Sequence, residues 1–138
     1  MNPTNEIKIC FDGGTYGMTG VCNDGYGSWS VEVDGFKKLV SREKFERVKV
    51  GTMVTNNVAE WLALIGALQW LQTVKDRHQY KVKIIGDSQL VLFCLNGRWK
   101  TRKPHLKPLR DKARELLTGF HWTVEWQARC HNMNRFGH

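Results

Sequence analysis

Long apolar runs are missing from this sequence: no stretch approaches the roughly 20 consecutive apolar residues that a membrane-spanning helix needs. The polar start, Met1-Asn2-Pro3-Thr4-Asn5-Glu6, lacks the basic and apolar regions of a secretory signal, so a soluble, cytoplasmic protein with no membrane partner is expected. Cysteine is sparse and scattered. Cys10, Cys22, Cys94 and Cys130 form no C-x-x-C pair, which argues against a zinc or redox site, and without a secretory signal a disulfide framework is not expected. Acidic residues are in the minority, 13 against 21 Lys and Arg, and the formal charge of +8 favours polyanionic partners such as nucleic acid or an acidic membrane, between which charge alone does not choose. Internal repeats, low-complexity stretches and long linkers are absent too. At 138 residues and 41% apolar content, residues 1–138 are expected to form one domain around one core, and a monomer.

What is present is a sequence of alternating patterns. Ile7 to Phe11 alternates by twos and stops at Asp12-Gly13-Gly14, which predicts a strand running into a glycine turn. Gly25 to Val33 predicts a second strand and Phe36 to Val50 one or two more, with Asp34-Gly35 as a two-residue hairpin turn. An antiparallel meander results. Val58, Trp61, Leu62, Ile65, Leu68 and Leu71 then recur at helical spacing, with Asn57 as the expected N-cap. Lys81 to Ile85 predicts a strand ending at Gly86-Asp87, and Ser88 to Leu95 a helix closed by Asn96-Gly97. A helix starting between Pro104 and Pro108 and running to about Leu117, then a strand from Phe120 to Trp126, complete an α/β layer architecture.

Three carboxylates fall at informative places in this order. Taken singly, each has a plain explanation: Asp12 as a turn aspartate, Glu60 as the partner of Asn57 in a capping box, Asp87 as a carboxylate favoured at a helix start. Taken together, two lie at strand ends and the third at a helix start that can pack beside them. Three converging acids would repel strongly unless hard cations such as Mg²⁺ held them, and paired cations are the apparatus of phosphoryl transfer.

The segments Phe11-Asp12-Gly13-Gly14, Thr55-Asn56-Asn57-Val58-Ala59-Glu60 and Gly86-Asp87-Ser88-Gln89-Leu90-Val91, followed by Trp99-Lys100-Thr101-Arg102, resemble type 1 ribonuclease H in the family's order. The resemblance implies a ribonuclease H-like fold, with a five-stranded mixed sheet and helices on its faces. It implies endonucleolytic cleavage of the RNA strand of an RNA/DNA hybrid with two Mg²⁺ or Mn²⁺ ions. Asp12 would bridge the ions, Glu60 and Asp87 would complete the leaving-group side, and the products would carry 5′-phosphate and 3′-hydroxyl ends. Gly13, Gly14, Thr55, Asn56, Asn57, Gln89, Trp99 and Lys100 are the implied substrate contacts. Thr55 matches a DNA-phosphate position, and Asn57 and Gln89 match minor-groove positions, where a wide groove offers 2′-hydroxyls but little sequence code. The basic run from Arg98 to Lys103, continuing to His105 and Lys107, would add salt-dependent affinity, with Trp99 as an aromatic face.

The tail departs from the family, which carries a fourth acidic ligand after its last strand; no acid follows Glu125 here. Anchoring the family pattern on Asn134 puts Gly137 at its small position and His138 at the ligand position. Anchoring on Asn132 puts Phe136 there, which cannot bind a metal. His138 is therefore the candidate fourth ligand, with Asn134 or no residue as alternatives, and His131 is a candidate for proton transfer or product release. An imidazole ligand predicts that Mn²⁺ supports activity better than Mg²⁺. The competing expectation is a catalytically weakened module of the same fold that only binds hybrid or structured RNA.

Overall fold

The computed structural model describes residues 5–15, 21–22, 24–46 and 54–128. Its strands are β1 (Glu6–Thr15), β2 (Val21–Cys22), β3 (Asp24–Val33), β4 (Phe36–Glu46), β5 (Val54–Thr55), β6 (Lys81–Gly86) and β7 (His121–Trp126). Its α-helices are α1 (Asn56–Leu71), α2 (Gln89–Leu95) and α3 (Lys107–Leu116). Five strands form one sheet in the order β4-β3-β1-β6-β7, and β2 pairs separately with β5. The sheet is mixed as expected: β1, β3 and β4 are antiparallel, whereas β1, β6 and β7 run parallel.

The hairpin between β3 and β4 follows directly from its two turn residues. Asp34 and Gly35 both take positive φ, 50° and 86°, which is what a tight turn matched to the strand twist demands. The predicted strand from Phe36 is one strand to Glu46; residues 47–50 lie outside those described.

Helix α1 lies over β1 and β3 and under α3. Being covered on two sides, it buries more than the single predicted stripe. Ala59, Ala63, Leu64 and Ala67 join Trp61, Ile65, Leu68 and Leu71 in the core, while Val58 and Leu62 are only partly buried. Small residues allow the close approach, and Ala113 and Leu117 close the core from the α3 side.

The N-cap of α1 is Thr55, correcting the expectation for Asn57. Thr55 is extended, as its pairing with Val21 requires, and its Oγ1 accepts the Val58 N–H at 3.2 Å. Asn57 is thus already inside the helix, and Glu60 is too far along to complete a capping box. At α2 the N-cap is Ser88, whose Oγ accepts from the Val91 N–H at 3.2 Å, and Gly97 with φ 83° follows its end. No helix among the described residues is long and apolar enough to cross a membrane.

Candidate active site

The parallel pairing of β1 with β6 sets the position of two acids. Its last register pair is Phe11 with Gly86, so Asp12 and Asp87 each stand one residue beyond it on adjacent strands. Asp87 follows the carboxyl end of β6, where open α/β sheets form their crevices, whereas Asp12 is not at a strand end as expected but lies where β1, which continues to Thr15, runs past its parallel partner. The Gly13 N–H donates to Asp12 Oδ1 at 2.9 Å. Asp87 is held through its main chain: the Trp126 indole N–H donates to the Asp87 carbonyl at 3.0 Å, and the Gln127 N–H donates to the Gly86 carbonyl at 2.9 Å.

Gly13 and Gly14 do not form the predicted turn. Strand β1 continues through them to Thr15, with Gly13 opposite Gly27 and Gly14 opposite Tyr26. Their smallness serves packing instead. A Cβ on Gly13 would lie 2.6 Å from the Ala59 carbonyl carbon and 2.7 Å from the Glu60 nitrogen, so only glycine lets α1 rest on the strand here. This contact carries Glu60 to the end of β1 that holds Asp12. Gly14 is buried, with the Tyr26 ring where a side chain would stand.

Glu60 shows how close the acids are electrically. Burial first, then the neighbouring Asp87 and more weakly Asp12, push its pKa up from 4.5 to about 8, against the lowering effect of a hydrogen bond with Ser88. Among the described residues, no group of three or more His, Cys, Asp or Glu side chains is drawn together closely enough to hold a metal ion as it stands. Asp87 and Asp12 both disfavour a charge on Glu60. Partly buried, oxygen-rich and mutually repelling, this donor set fits a hard divalent cation, which would relieve the repulsion.

The implied substrate residues surround the acids at the starts of two helices. Thr55, Asn56 and Asn57 begin α1, the first and last partly buried and Asn56 exposed; Gln89, exposed, begins α2 directly after Asp87 and Ser88. Trp99 is 41% exposed and stands edge-on to Phe93, with ring centroids 5.1 Å apart. Its N–H donates to the Phe93 carbonyl at 2.9 Å, while the Arg98 guanidinium lies 4.7 Å from the centre of the same ring. A cleft of about 550 Å³ opens here, with Trp61, Leu90, Cys94 and Leu106 among its apolar walls and Arg98, Lys100, Arg102 and Lys103 around it. His131, Asn134 and His138 lie outside the described residues.

Comparison with known proteins gives the same picture. Residues 43–136 match the family model described as reverse transcriptase-like. A ribonuclease HI of Halobacterium salinarum is 44% identical over 79 residues, 56% of this chain and 38% of that protein; the chain thus spans well under half of that curated relative. The crystal structure of ribonuclease H1 from H. salinarum NRC-1 superposes with a TM-score of 0.75 at 32% identity, covering 92% of this chain and 89% of that one. The chain belongs to the ribonuclease HI family. A further family structure, ribonuclease H1 isolated from compost in complex with an RNA/DNA hybrid, shares the fold at a TM-score of 0.76 and 24% identity, with 94% and 90% of the two chains covered.

Within this ribonuclease H frame, two residues emerge that sequence reasoning did not single out. Ser88 caps α2 and lies close enough to Glu60 to lower its pKa, coupling a helix start to the partly buried acid. Its position after Asp87 at a helix start was the available signal. Trp126 ties Asp87 to β7, a link across 39 residues that no local pattern reveals.

Proposed function

We propose that the chain is an endonuclease that hydrolyses the RNA strand of RNA/DNA hybrids, using two Mg²⁺ or Mn²⁺ ions and leaving 5′-phosphate and 3′-hydroxyl ends. The observation that carries this reading is the Phe11–Gly86 register, which sets Asp12 beside Asp87 while Gly13 admits Glu60 to the same end of the sheet. When bound, the ions would supply charge stabilisation to the attacking and leaving oxygens of an in-line displacement. Asp12, Glu60 and Asp87 would hold them, and ionisation of Glu60 would accompany binding because its proton must leave first.

Other residues bind and orient. Thr55, Asn56, Asn57 and Gln89 present polar side chains at the starts of α1 and α2, suited to groove edges, 2′-hydroxyls and a backbone phosphate. Trp99 and Lys100 offer an aromatic face and a cation to the second strand, and the net charge of +8 supplies long-range attraction. Such contacts read shape rather than bases, so cleavage should be largely independent of sequence. The fourth ligand position is assigned to His138, with His131 in proton transfer or product release.

The test is a labelled hybrid incubated with Mg²⁺ or Mn²⁺, beside single-stranded RNA and duplex DNA. Metal-dependent cutting of RNA in the hybrid alone is expected. Tight binding without turnover in either metal would favour the weakened binding module instead.

A further inference from the structure

A second cleft of about 330 Å³ shares Trp99, Lys100 and Thr101 with the large cleft. Lys107, Arg110 and Arg114 reach it from α3, at spacings of three and four that place them on one helix face, and Trp99, Lys100 and Thr101 also line it. Four cations thus meet in one small concavity. The nearest acid in sequence, Asp111, is exposed and engaged with Arg110 at 2.8 Å. Arg114 is fixed: its Nε and Nη2 donate to the carbonyls of Leu95 and Cys94 at 3.1 and 2.8 Å, which close the end of α2. The remaining guanidinium donors are therefore held in place before any ligand arrives. The first turn of α3, which contains Lys107 and Arg110, carries no acid and no side-chain cap, so its dipole also favours an anion.

Thr101 supplies an independent observation. It is only 7% exposed, and its Oγ1 is buried without a hydrogen-bond partner, yet the residue lines both clefts. A buried hydroxyl left unsatisfied costs stability, and such groups call for an explanation. An anionic oxygen among four cations would give this hydroxyl an acceptor.

We propose that this cleft is a phosphate site, seating one backbone phosphodiester of the bound hybrid away from the acids, with the Thr101 hydroxyl as a donor and Lys100, Lys107, Arg110 and Arg114 as the neutralising charges. The proposal rests on the hybrid-binding reading and extends it. It implies a trade: Thr101 destabilises the free protein and contributes when an anion is bound.

Two variants and two probes test it, in an Asp12→Asn background so that no strand is cut. Thr101→Val keeps the shape and removes the hydroxyl; Lys107→Gln with Arg110→Gln alters only solvent-accessible side chains. Thr101→Val should raise the thermal midpoint of the free protein and weaken hybrid binding about tenfold, the scale of one hydrogen bond to a charged group. The double variant should reduce the slope of log affinity against log salt by about one to two. Millimolar inorganic phosphate should raise the midpoint of the parent more than that of Thr101→Val. Unchanged affinity in Thr101→Val together with an unchanged salt slope in the double variant overturns the proposal, as does an equal phosphate shift in parent and Thr101→Val. Should Thr101→Val fail to fold, the salt slope of the double variant decides alone. If the parent binds no hybrid but phosphate still stabilises it selectively, the hybrid reading fails and the anion site stands.

Discussion

The acidic end of the sheet and the basic segment after α2 are built by different means. Asp12, Glu60 and Asp87 stand on a strand, on a helix and just past a strand end, next to the buried residues Phe11, Ala59, Trp61 and Gly86. Lys100, Arg102 and Lys103 are exposed, on a loop anchored by Thr101 and by the contact of Trp99 with Phe93. The contrast matches the two tasks proposed for them. Reaction at phosphorus tolerates little misplacement of its groups, whereas screened attraction for a polyanion depends on charge count and survives side-chain motion. Position should therefore govern rate at the acids, and charge should govern affinity at the basic segment.

Substitutions can break that division, beginning with the largest expected effect. Asp87→Asn removes one ligand charge and should cut turnover by roughly a thousandfold, several kcal/mol of transition-state stabilisation, while hybrid affinity changes little. Single-turnover cleavage beside a binding titration would show it. Gly13→Ala keeps every charge but drives a methyl into the Ala59 and Glu60 backbone, so α1 must move. A destabilisation of about 1 to 3 kcal/mol and a loss of rate of about a hundredfold are expected, measured by denaturant unfolding and by the same assay. If Gly13→Ala retained full rate, position would matter less at the acids than is argued.

Glu60→Gln sharpens the comparison through stability. In the folded protein Glu60 gives up its proton near pH 8, whereas unfolded it does so near its ordinary 4.5. Between those values the folded state binds the extra proton, so stability falls as pH rises from about 4.5 to about 8. Without divalent metal, Glu60→Gln should thus be more stable than the parent by roughly 2 to 3 kcal/mol at pH 7, with the gain vanishing toward pH 4. Thermal midpoints across that range in chelator check it. Smallest is the effect of the basic loop: Arg98→Ala or Lys103→Ala should each raise KM a few-fold and lower the salt slope by about one, leaving kcat in place. A drop in kcat as large as at Asp87 would erase the distinction between the regions.

Much of this architecture was readable before any coordinates. The alternation of Ile7 to Phe11 and the helical spacing from Val58 report burial, which is what periodicity measures, and the ordered acids with their neighbours carried the family resemblance. Long-range geometry was not readable. Gly13-Gly14 has the composition of a turn, but its meaning depends on a helix backbone arriving more than 40 residues later. Asn57 is as good a cap as Thr55 by type, and the pairing of Thr55 with Val21 decided between them. Trp126 and Ser88 became part of the site only through partners distant in sequence. The basic run was visible as composition; its part in two clefts that share Thr101 was not.

The most direct measurement compares the parent with Asp12→Asn on one labelled RNA/DNA hybrid, recording cleavage in Mn²⁺ and Mg²⁺ and affinity in the same buffer. The parent should cut only the RNA strand, whereas Asp12→Asn should bind the hybrid with nearly the same affinity and leave it whole. Turnover retained by Asp12→Asn, or cutting of duplex DNA by the parent at a similar rate, would contradict the assignment of the acidic end of the sheet as a hybrid-cleaving site.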